Sequence, residues 1–278
     1  MTTTPITYMY TPASSVDRLA SSLERGADVV IFDLEDAVAP AQKTAAREGL
    51  VAFLAELEEP GQTRIHVRIN SLSSAWGHDD LRALREAPHV TGVRVPKVTS
   101  PEQIAEVRAV VPELEIHALI EDAEAVAAMR SICRAPDVTS VSLGDNDMRA
   151  ALHLRGEAAM DIIRVQLVVE LAAAGKNPPT GSVYPNVEDN DGLHRDSLRL
   201  RDLGFAGRSA IHPRQLEPIR RAFQPSFEDI AHARRVIEAA DVAEAEGRGA
   251  VALEDGSFVD QPFVDDARYI ISLTRSND

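Results

Sequence analysis

The amino-acid sequence predicts an α/β protein, a (β/α)8 TIM barrel followed by a C-terminal helical extension. Short apolar runs alternate with longer amphipathic stretches through most of the chain, which is typical of right-handed βαβ units around a parallel sheet. Seven clear runs and one weak run are enough strands to close a barrel. No G-x-G-x-x-G follows the first run, which argues against an open dinucleotide-binding sheet.

Eight runs are interpreted as the strands of this barrel. Several are continuously apolar or β-branched, as expected for parallel strands that are covered on both faces. In chain order they are Thr7–Tyr10, Val29–Asp33, Ile65–Ile69, Gly92–Val95, Glu115–Leu119, Thr139–Leu143, the weak candidate Ser182–Tyr184, and Ser209–Ile211.

Helix-like segments lie between these runs. Pro101 and Pro112 bracket one of them, as expected when proline stands at a helix start and just beyond a helix end. The clearest segments are Ser15–Arg25, Ala41–Leu57, Pro101–Val111, Asp122–Arg134 and Asp191–Asp202.

The pattern changes after Pro225. Two helices with a short strand between them are predicted there, at Phe227–Glu246, Ala250–Leu253 and Pro262–Leu273. We therefore predict a catalytic barrel domain over residues 1–224 and an extension over residues 225–278 that packs on the barrel or on a neighbouring subunit.

Composition and charge restrict the function. The net charge of −15 argues against a nucleic-acid binder, because phosphate backbones attract positive surfaces. A single cysteine, Cys133, excludes an internal disulfide, so a cytoplasmic location is expected. No apolar run approaches the roughly 20 residues of a membrane-spanning helix, and the N-terminus shows no secretory signal pattern.

Polar side chains follow six of the predicted strands at the point where each strand ends. Functional residues of such barrels lie at this end, so the convergence of acids, Arg, Lys and His predicts an active site. The strand ends are Asp33-Leu34-Glu35-Asp36, Arg68-Ile69-Asn70, Pro96-Lys97, Ile120-Glu121-Asp122, Gly144-Asp145-Asn146-Asp147 and Ile211-His212-Pro213.

Glu121 and Asp147 are the candidate metal ligands. Mg²⁺ takes one or two carboxylates from the protein together with water and substrate oxygens, and neighbouring strands bring these two acids together. The alternatives are a helix cap for Glu121 and an N-cap or turn role for Asp147.

The acids of the second strand are interpreted as supporting groups. Glu35 and Asp36 either orient the waters of the metal and hold Lys97 or Arg68, or ligate the metal directly. Lys43 and Arg47, spaced i, i+4, form either a solvated helical face or a phosphate-binding pair.

Arg68 stands at the end of an otherwise apolar strand. It suits recognition of a carboxylate or a developing oxyanion, and the alternative is an ion pair with the acids of the second strand. His212 is either a base or, more commonly for such a position, a histidine bonded to backbone.

An ordered series of motifs resembles the citrate lyase beta-subunit-like family of the HpcH/HpaI aldolase/citrate lyase superfamily. The resemblance runs from about Tyr8 to Leu273. Its segments are V-I-F-D-L-E-D-A-V-A-P-A-Q-K-T-A-A-R (30–47), H-V-R-I-N (66–70), V-P-K (95–97), A-L-I-E-D-A (118–123), S-L-G-D-N-D-M (142–148), L-G-F-A-G-R-S-A-I-H-P-R-Q (203–215) and F-V-D-Q-P (258–262).

The resemblance implies a Mg²⁺-dependent enzyme that forms a homo-oligomer, a trimer or a multiple of it. It implies Mg²⁺ on Glu121 and Asp147, Arg68 on the reacting oxygens, and Asp260 of a neighbouring subunit as general acid/base. Asp36 is taken as a further catalytic candidate, and Arg68, Glu35 and Lys97 as substrate-binding candidates. The chain departs from its relatives at Asp122, where a Thr is common, and in residues 179–184, which lack an Asp near Gly181.

The expected activity is cleavage of a β-hydroxyacyl-CoA thioester, similar to malyl-, citramalyl- or citryl-CoA, into a 2-oxo acid and an acyl-CoA. A citryl-carrier-protein lyase subunit, an acyl-CoA thioesterase and a metal-dependent pyruvate aldolase remain enzyme alternatives. The aldolase branch has a histidine where this chain has Asp36. A non-catalytic metal- or ligand-binding scaffold is the alternative from another class. Arg18, Lys43 and Arg47 are the candidates for CoA contacts.

Overall fold

The computed structural model describes residues 4–253 and 256–274. They fall into two compact units, one of residues 5–222 and one that joins Thr4 to the residues from Phe223 onward. The predicted domain boundary and the packing of the extension on a neighbour stay predictions. None of the helices described is both long and apolar enough to cross a membrane.

The first unit contains eight parallel strands in a nearly closed barrel, in the order β6-β5-β4-β3-β2-β1-β8-β7. The predicted (β/α)8 fold is confirmed. The strands are β1 (Thr7–Pro12), β2 (Val29–Asp33), β3 (Arg64–Arg68), β4 (Val90–Val95), β5 (Glu115–Ile120), β6 (Val138–Leu143), β7 (Thr180–Gly181) and β8 (Gly207–Ala210).

The weak strand prediction at Ser182–Tyr184 was wrong in position, because β7 is the two-residue segment just before it. Side chains take up the carbonyl groups that a longer strand would have paired. Arg208 Nε donates to the Ser182 carbonyl at 3.0 Å and Gln215 Nε2 donates to the Tyr184 carbonyl at 2.8 Å. The chain therefore leaves the sheet after Gly181.

Helices cover the outside of the barrel. The α4 start has the predicted proline at its first position and a capping box formed by Ser100 and Gln103. The helices are α1 (Val16–Leu23), α2 (Lys43–Glu56), α3 (Gly77–Ala83), α4 (Pro101–Val110), α5 (Ala123–Cys133), α6 (Asp145–Leu152), α7 (Glu157–Ala173), α8 (Asn190–Asp202) and α9 (Leu216–Phe223).

Side chains alternate between the two faces of each strand, and this period of two decides what lies inside the barrel. On β2, Phe32 faces the helices, where its ring packs edge-on against Phe53 of α2 at 5.9 Å. Its neighbour Ile31 faces the other way and packs with Tyr8 of β1. Asp33 therefore points into the barrel, and in-register pairing sets it opposite Arg68.

The second unit has its own small core. It contains α10 (Phe227–Ala245), a hairpin of β9 (Val251–Ala252) and β10 (Phe258–Val259), and α11 (Gln261–Ser272). The predicted C-terminal helices are confirmed, and β10 was not predicted. Its core consists of Ala233, Val236, Val259, Val264 and Ala267.

Candidate active site

A cavity of about 410 Å³ opens at the carboxyl ends of the barrel strands. Asp36, Arg68, Glu121 and Asp147 line it, together with apolar and small side chains. Glu35 forms an ion pair with Arg68, and Lys97 forms one with Glu35. The strand ends therefore bring the barrel residues of the predicted site together.

Arg68 is held by the acids of β2. Its Nε and Nη2 atoms donate to the two carboxylate oxygens of Asp33, each at 2.7 Å, and its guanidinium stacks on the Tyr10 ring at 4.9 Å. Burial disfavours the cation, but the hydrogen bonds and charge of Asp33 outweigh it and raise the pKa of Arg68 well above its usual value. The ion pair given as the alternative for Arg68 is therefore present. Nη1 is not used by Asp33, and it lies 3.0 Å from Glu35 and 3.3 Å from Asp36.

Glu35 joins Arg68 to Lys97. One carboxylate oxygen lies 3.0 Å from Arg68 Nη1, and the other lies 3.3 Å from Lys97 Nζ. Burial raises the pKa of Glu35, and Arg68 opposes that rise. Lys97 adopts a left-handed backbone with φ of +55°, which is uncommon for a residue with a side chain and marks a constrained strand end.

Glu121, at the end of β5, is 4% exposed, and its Oε2 atom has no hydrogen-bond partner among the described residues. Burial, together with the charges of Glu35 and Asp147, raises its pKa to about 8. The cap interpretation of Glu121 was wrong, because Asp122 caps α5 by accepting from the Ala125 amide at 2.8 Å.

Gly144 leaves the space that Glu121 fills. A Cβ atom at Gly144 would stand 2.7 Å from Glu121 Cγ, closer than carbon atoms pack. Sequence reasoning noted Gly144 only as part of a polar strand end. Gly144 could have been found because it directly follows an apolar strand, a place where glycine often lets another group approach the backbone closely.

Asp147 is exposed in the first turn of α6 and lines the cavity. The N-cap interpretation was wrong, because Gly144 occupies the N-cap position. A buried Arg164 of α7 contacts Asp145 and donates to Asp161 at 2.9 Å, so it anchors the start of the helix that carries Asp147. The sequence did not point to Arg164. It lies on α7, and nothing in the local pattern shows that its side chain reaches Asp145 on α6.

The pair of Glu121 and Asp147 fits a hard divalent cation. A cavity-lining carboxyl that lacks a hydrogen-bond partner among the described residues, next to a second acid that raises its pKa, matches the carboxylate set of an oxygen-ligand site. Two protein carboxylates with space for water and substrate oxygens suit Mg²⁺.

Other candidates take structural positions. Lys43 is buried and donates to the Leu34 and Glu35 carbonyls at 2.8 and 2.6 Å, so the solvated-face interpretation was wrong for it. Arg47 pairs with the buried Asp80 at 3.1 Å. His212 is half-buried and accepts from the Arg214 amide at 3.2 Å, which is the backbone-bonded alternative.

Asp260 lies in the second unit, at the N-cap of α11. It lines a separate cavity of about 240 Å³ with Arg248 and Arg268. Its Oδ1 atom is buried and has no hydrogen-bond partner among the described residues. A buried carboxylate oxygen without a partner is costly, which favours a functional role.

Comparisons with known proteins agree with this architecture. The family model described as HpcH/HpaI aldolase/citrate lyase matches residues 7–213. The chain belongs to this family. The (3S)-malyl-CoA thioesterase of Cereibacter sphaeroides is 34% identical over 266 residues, covering 95% of this chain and 92% of the relative. Citrate lyase subunit beta of Haemophilus influenzae is 30% identical over 284 aligned positions, covering 96% of each chain.

A solved structure extends the likeness to three dimensions. CitE from Mycobacterium tuberculosis, in complex with magnesium, acetoacetate and coenzyme A, superposes with a TM-score of 0.79 at 31% identity, covering 98% of each chain. The predicted resemblance to citrate lyase beta subunits is confirmed. As a member of the HpcH/HpaI aldolase/citrate lyase family, the chain is of the citrate lyase beta/CitE type, a group of enzymes with magnesium-containing structures.

Proposed function

We propose that the chain is a Mg²⁺-dependent carbon–carbon lyase that cleaves a β-hydroxyacyl-CoA thioester, such as malyl-, citramalyl- or citryl-CoA, into a 2-oxo acid and an acyl-CoA. The observation that carries the proposal is Glu121, a buried carboxyl without a partner, beside Asp147 in a cavity that Arg68 also lines. The acetoacetate and coenzyme A bound in the related CitE structure support a carboxylated ligand together with CoA.

Glu121 and Asp147 hold the Mg²⁺ ion in this proposal. When bound, the ion lowers the pKa of an alcohol and polarises a carbonyl, which is the assistance that a retro-aldol or retro-Claisen cleavage needs. Glu35 and Asp36 orient water molecules at the site and neutralise Arg68 and Lys97.

Arg68 binds the acidic end of the substrate. Its Nε and Nη2 atoms are committed to Asp33, which fixes the plane of the guanidinium. Nη1 is not held by Asp33, and in this proposal it exchanges its contacts with Glu35 and Asp36 for a substrate carboxylate or for the negative charge that develops as the carbon–carbon bond breaks. Because the group is oriented before substrate arrives, little reorganisation is needed during the reaction.

Asp260 completes the proton balance. Asp260 takes the hydroxyl proton of the substrate as the carbon–carbon bond breaks, which leaves a 2-oxo acid and the enolate of an acyl-CoA, and Asp260 then returns that proton to the enolate carbon. We propose that this Asp260 comes from a neighbouring subunit of a homotrimer. Its unpartnered Oδ1 atom supports a role as an acid or base.

Product analysis tests the proposal. Purified chain with Mg²⁺ is incubated with malyl-, methylmalyl-, citramalyl- and citryl-CoA, and products are identified by mass spectrometry. We expect a 2-oxo acid and the matching acyl-CoA from one thioester, with the reaction lost in EDTA, in Glu121→Gln and in Asp260→Asn. A chain that releases neither product from any thioester contradicts the lyase.

Thioester hydrolysis is the second candidate, because the relative from Cereibacter sphaeroides is a (3S)-malyl-CoA thioesterase. The same assay separates the two activities, since hydrolysis yields free CoA and an intact hydroxy acid. Free CoA without a 2-oxo acid would establish the thioesterase and reject the lyase.

A further inference from the structure

A second cluster of metal-binding side chains lies inside the barrel, on a different layer from the cavity. It consists of His66 on β3 with Glu115 and His117 on β5. Glu115 begins β5 and Glu121 directly follows the last residue of that strand, six positions later, which at roughly 3.3 Å per residue separates the two positions by about 20 Å. This cluster plays no part in the proposed lyase reaction.

We propose that His66, Glu115 and His117 form a binding site for a divalent transition-metal ion of the zinc class. One ligand atom from each residue lies within 4.8 Å of the others. Glu115 Oε2 is 3.3 Å from His117 Nε2 and 3.6 Å from His66 Nε2. Bond lengths near 2.1 Å in a tetrahedral site place neighbouring ligand atoms about 3.4 Å apart, so these distances match a zinc site with small adjustments.

Gly92 leaves the two imidazole rings room to lie beside each other. Gly92 of β4 stands between the two strands, in register with both His66 and Glu115. A Cβ atom at Gly92 would come within 2.9 Å of His66 Nε2 and 3.2 Å of His117 Nε2. Only glycine lets both imidazole rings face the same space.

The two rings differ in their hydrogen bonding. His66 is 1% exposed, and neither ring nitrogen has a hydrogen-bond partner among the residues described. Nε2 lies 3.6 Å from Glu115 Oε2, which is beyond hydrogen-bond length, and a metal bond to Nε2 would satisfy this nitrogen of the buried ring. His117 contacts Ser140 Oγ through Nδ1, which orients the ring and directs Nε2 toward Glu115.

Ligand chemistry selects the class of ion. Neutral imidazole with one carboxylate suits Zn²⁺ and its neighbours in the transition series, whereas Mg²⁺ prefers oxygen ligands in octahedral geometry. The Glu115 side chain is 37% exposed and the Arg64 side chain 34%, so the site opens to solvent at the amino ends of the strands. Water can reach the fourth coordination position from there.

Arg64 competes with the ion. Its guanidinium contacts the same Glu115 oxygen that faces the histidines. A second cation, Arg94, is paired in register with His117 on the neighbouring strand and stacks on the Tyr8 ring, 5.0 Å from the ring centre. These positive charges oppose a divalent ion. A substitution that merely damaged the site would weaken Zn²⁺ binding. Because Arg64 competes with the ion, we expect Arg64→Met to bind Zn²⁺ more tightly than the unchanged chain.

The test is a Zn²⁺ titration of the metal-stripped full chain by calorimetry in excess Mg²⁺, followed by anomalous diffraction at the zinc edge. We expect one ion per chain between the three ligands, and binding weakened roughly tenfold or more in Glu115→Gln and His117→Gln. Glu121→Gln is the matched control and should leave Zn²⁺ affinity unchanged. Circular dichroism checks that each variant is folded.

Three outcomes would overturn the site. One is Zn²⁺ found only at exposed histidines or at Glu121 and Asp147, and another is unchanged affinity in folded Glu115→Gln. The third is the absence of binding in both the unchanged chain and Arg64→Met, a variant that keeps all three ligands. A tighter complex in Arg64→Met supports the site even if the ligand variants fail to fold.

Discussion

The two ends of the barrel interior are both polar, but burial acts on them in opposite directions. At the carboxyl end, burial raises the pKa of Glu121 to about 8. At the amino end, burial lowers the pKa of His117 to about 4 and that of His66 well below its usual value. Both effects have one cause, because a low dielectric disfavours charge of either sign.

The comparison teaches why a barrel can carry polar groups inside without an obvious cost at neutral pH. Glu121 is neutral because it holds a proton, and the two histidines are neutral because they have lost one, whereas Arg68 and Asp33 stay charged as an ion pair. A bound cation can take the place of the proton on Glu121. The four predictions below test that contrast, beginning with the largest effect.

Turnover at the carboxyl end should be lost when a proposed metal ligand is replaced. Glu121→Gln removes a ligand while keeping the shape of the side chain, and we expect turnover to fall by roughly 10³-fold, equivalent to about 4 kcal/mol of lost electrostatic assistance. Steady-state kinetics across a Mg²⁺ titration measures this. Glu124→Gln, an exposed position three residues further along, is the control. Equal activity in both variants would remove Glu121 from the site.

The same residue should make the metal-free chain less stable at alkaline pH. The folded pKa of Glu121, about 8, lies above its ordinary value of 4.5, so the folded state holds the proton more tightly than the unfolded chain. Stability is unaffected below pH 4.5 and falls as pH rises toward 8, by on the order of 4 kcal/mol.

Urea unfolding in EDTA from pH 4 to 9 measures that fall. Gln cannot ionise, so Glu121→Gln should lose less stability over this range and should exceed the unchanged chain above pH 8. A variant that is less active yet more stable is expected at a functional site. Parallel curves for the two chains would contradict the raised pKa.

The strands that are long enough to show a hydrophobic pattern were predicted from the sequence. Prediction failed where the element is too short to show such a pattern or where the contact is between distant residues. β7 is a two-residue strand, too short for any periodicity to locate. The spacing of Lys43 and Arg47 suggested one helical face, but the structure buries Lys43 beneath the β2 loop and pairs Arg47 with Asp80. Such partners are distant in sequence, so local patterns cannot reveal them.

The candidate site shows the same division. Strand ends predicted that Arg68, Glu121 and Asp147 would share a cavity, because parallel strands end at one rim. The bidentate grip of Asp33 on Arg68 depends on the register between β2 and β3, which the sequence does not display. His66 and His117 could have been placed inside the barrel from the sequence. Each is two residues from another inward-facing residue of its strand, His66 from Arg68 and His117 from Leu119, and side chains two apart on a strand share a face.

Arg68, at the carboxyl end, has two roles. It forms a structural ion pair with Asp33, and it contacts substrate in the proposed function. Arg68→Met leaves the buried Asp33 unpaired, and we expect the free energy of unfolding to fall by about 3 kcal/mol. Adding Asp33→Asn should restore much of the stability but none of the activity. Denaturant unfolding and kinetics on the same double variant separate the roles; recovery of activity would make Arg68 purely structural.

At the amino end, stability should fall at acid pH because of His117, as it falls at alkaline pH because of Glu121. The folded pKa of His117, about 4, lies below its ordinary value of 6.5, so its contribution is fully present above pH 6.5 and is lost as pH falls toward 4. In EDTA we expect His117→Gln to lessen this acid loss by about 2 kcal/mol, a smaller effect because partly exposed Glu115 screens the site. His78→Gln, the same substitution at a half-exposed histidine, is the control. If His117→Gln and the unchanged chain lose stability equally between pH 6.5 and 4, the amino end does not hold a neutral histidine and the contrast between the two ends fails.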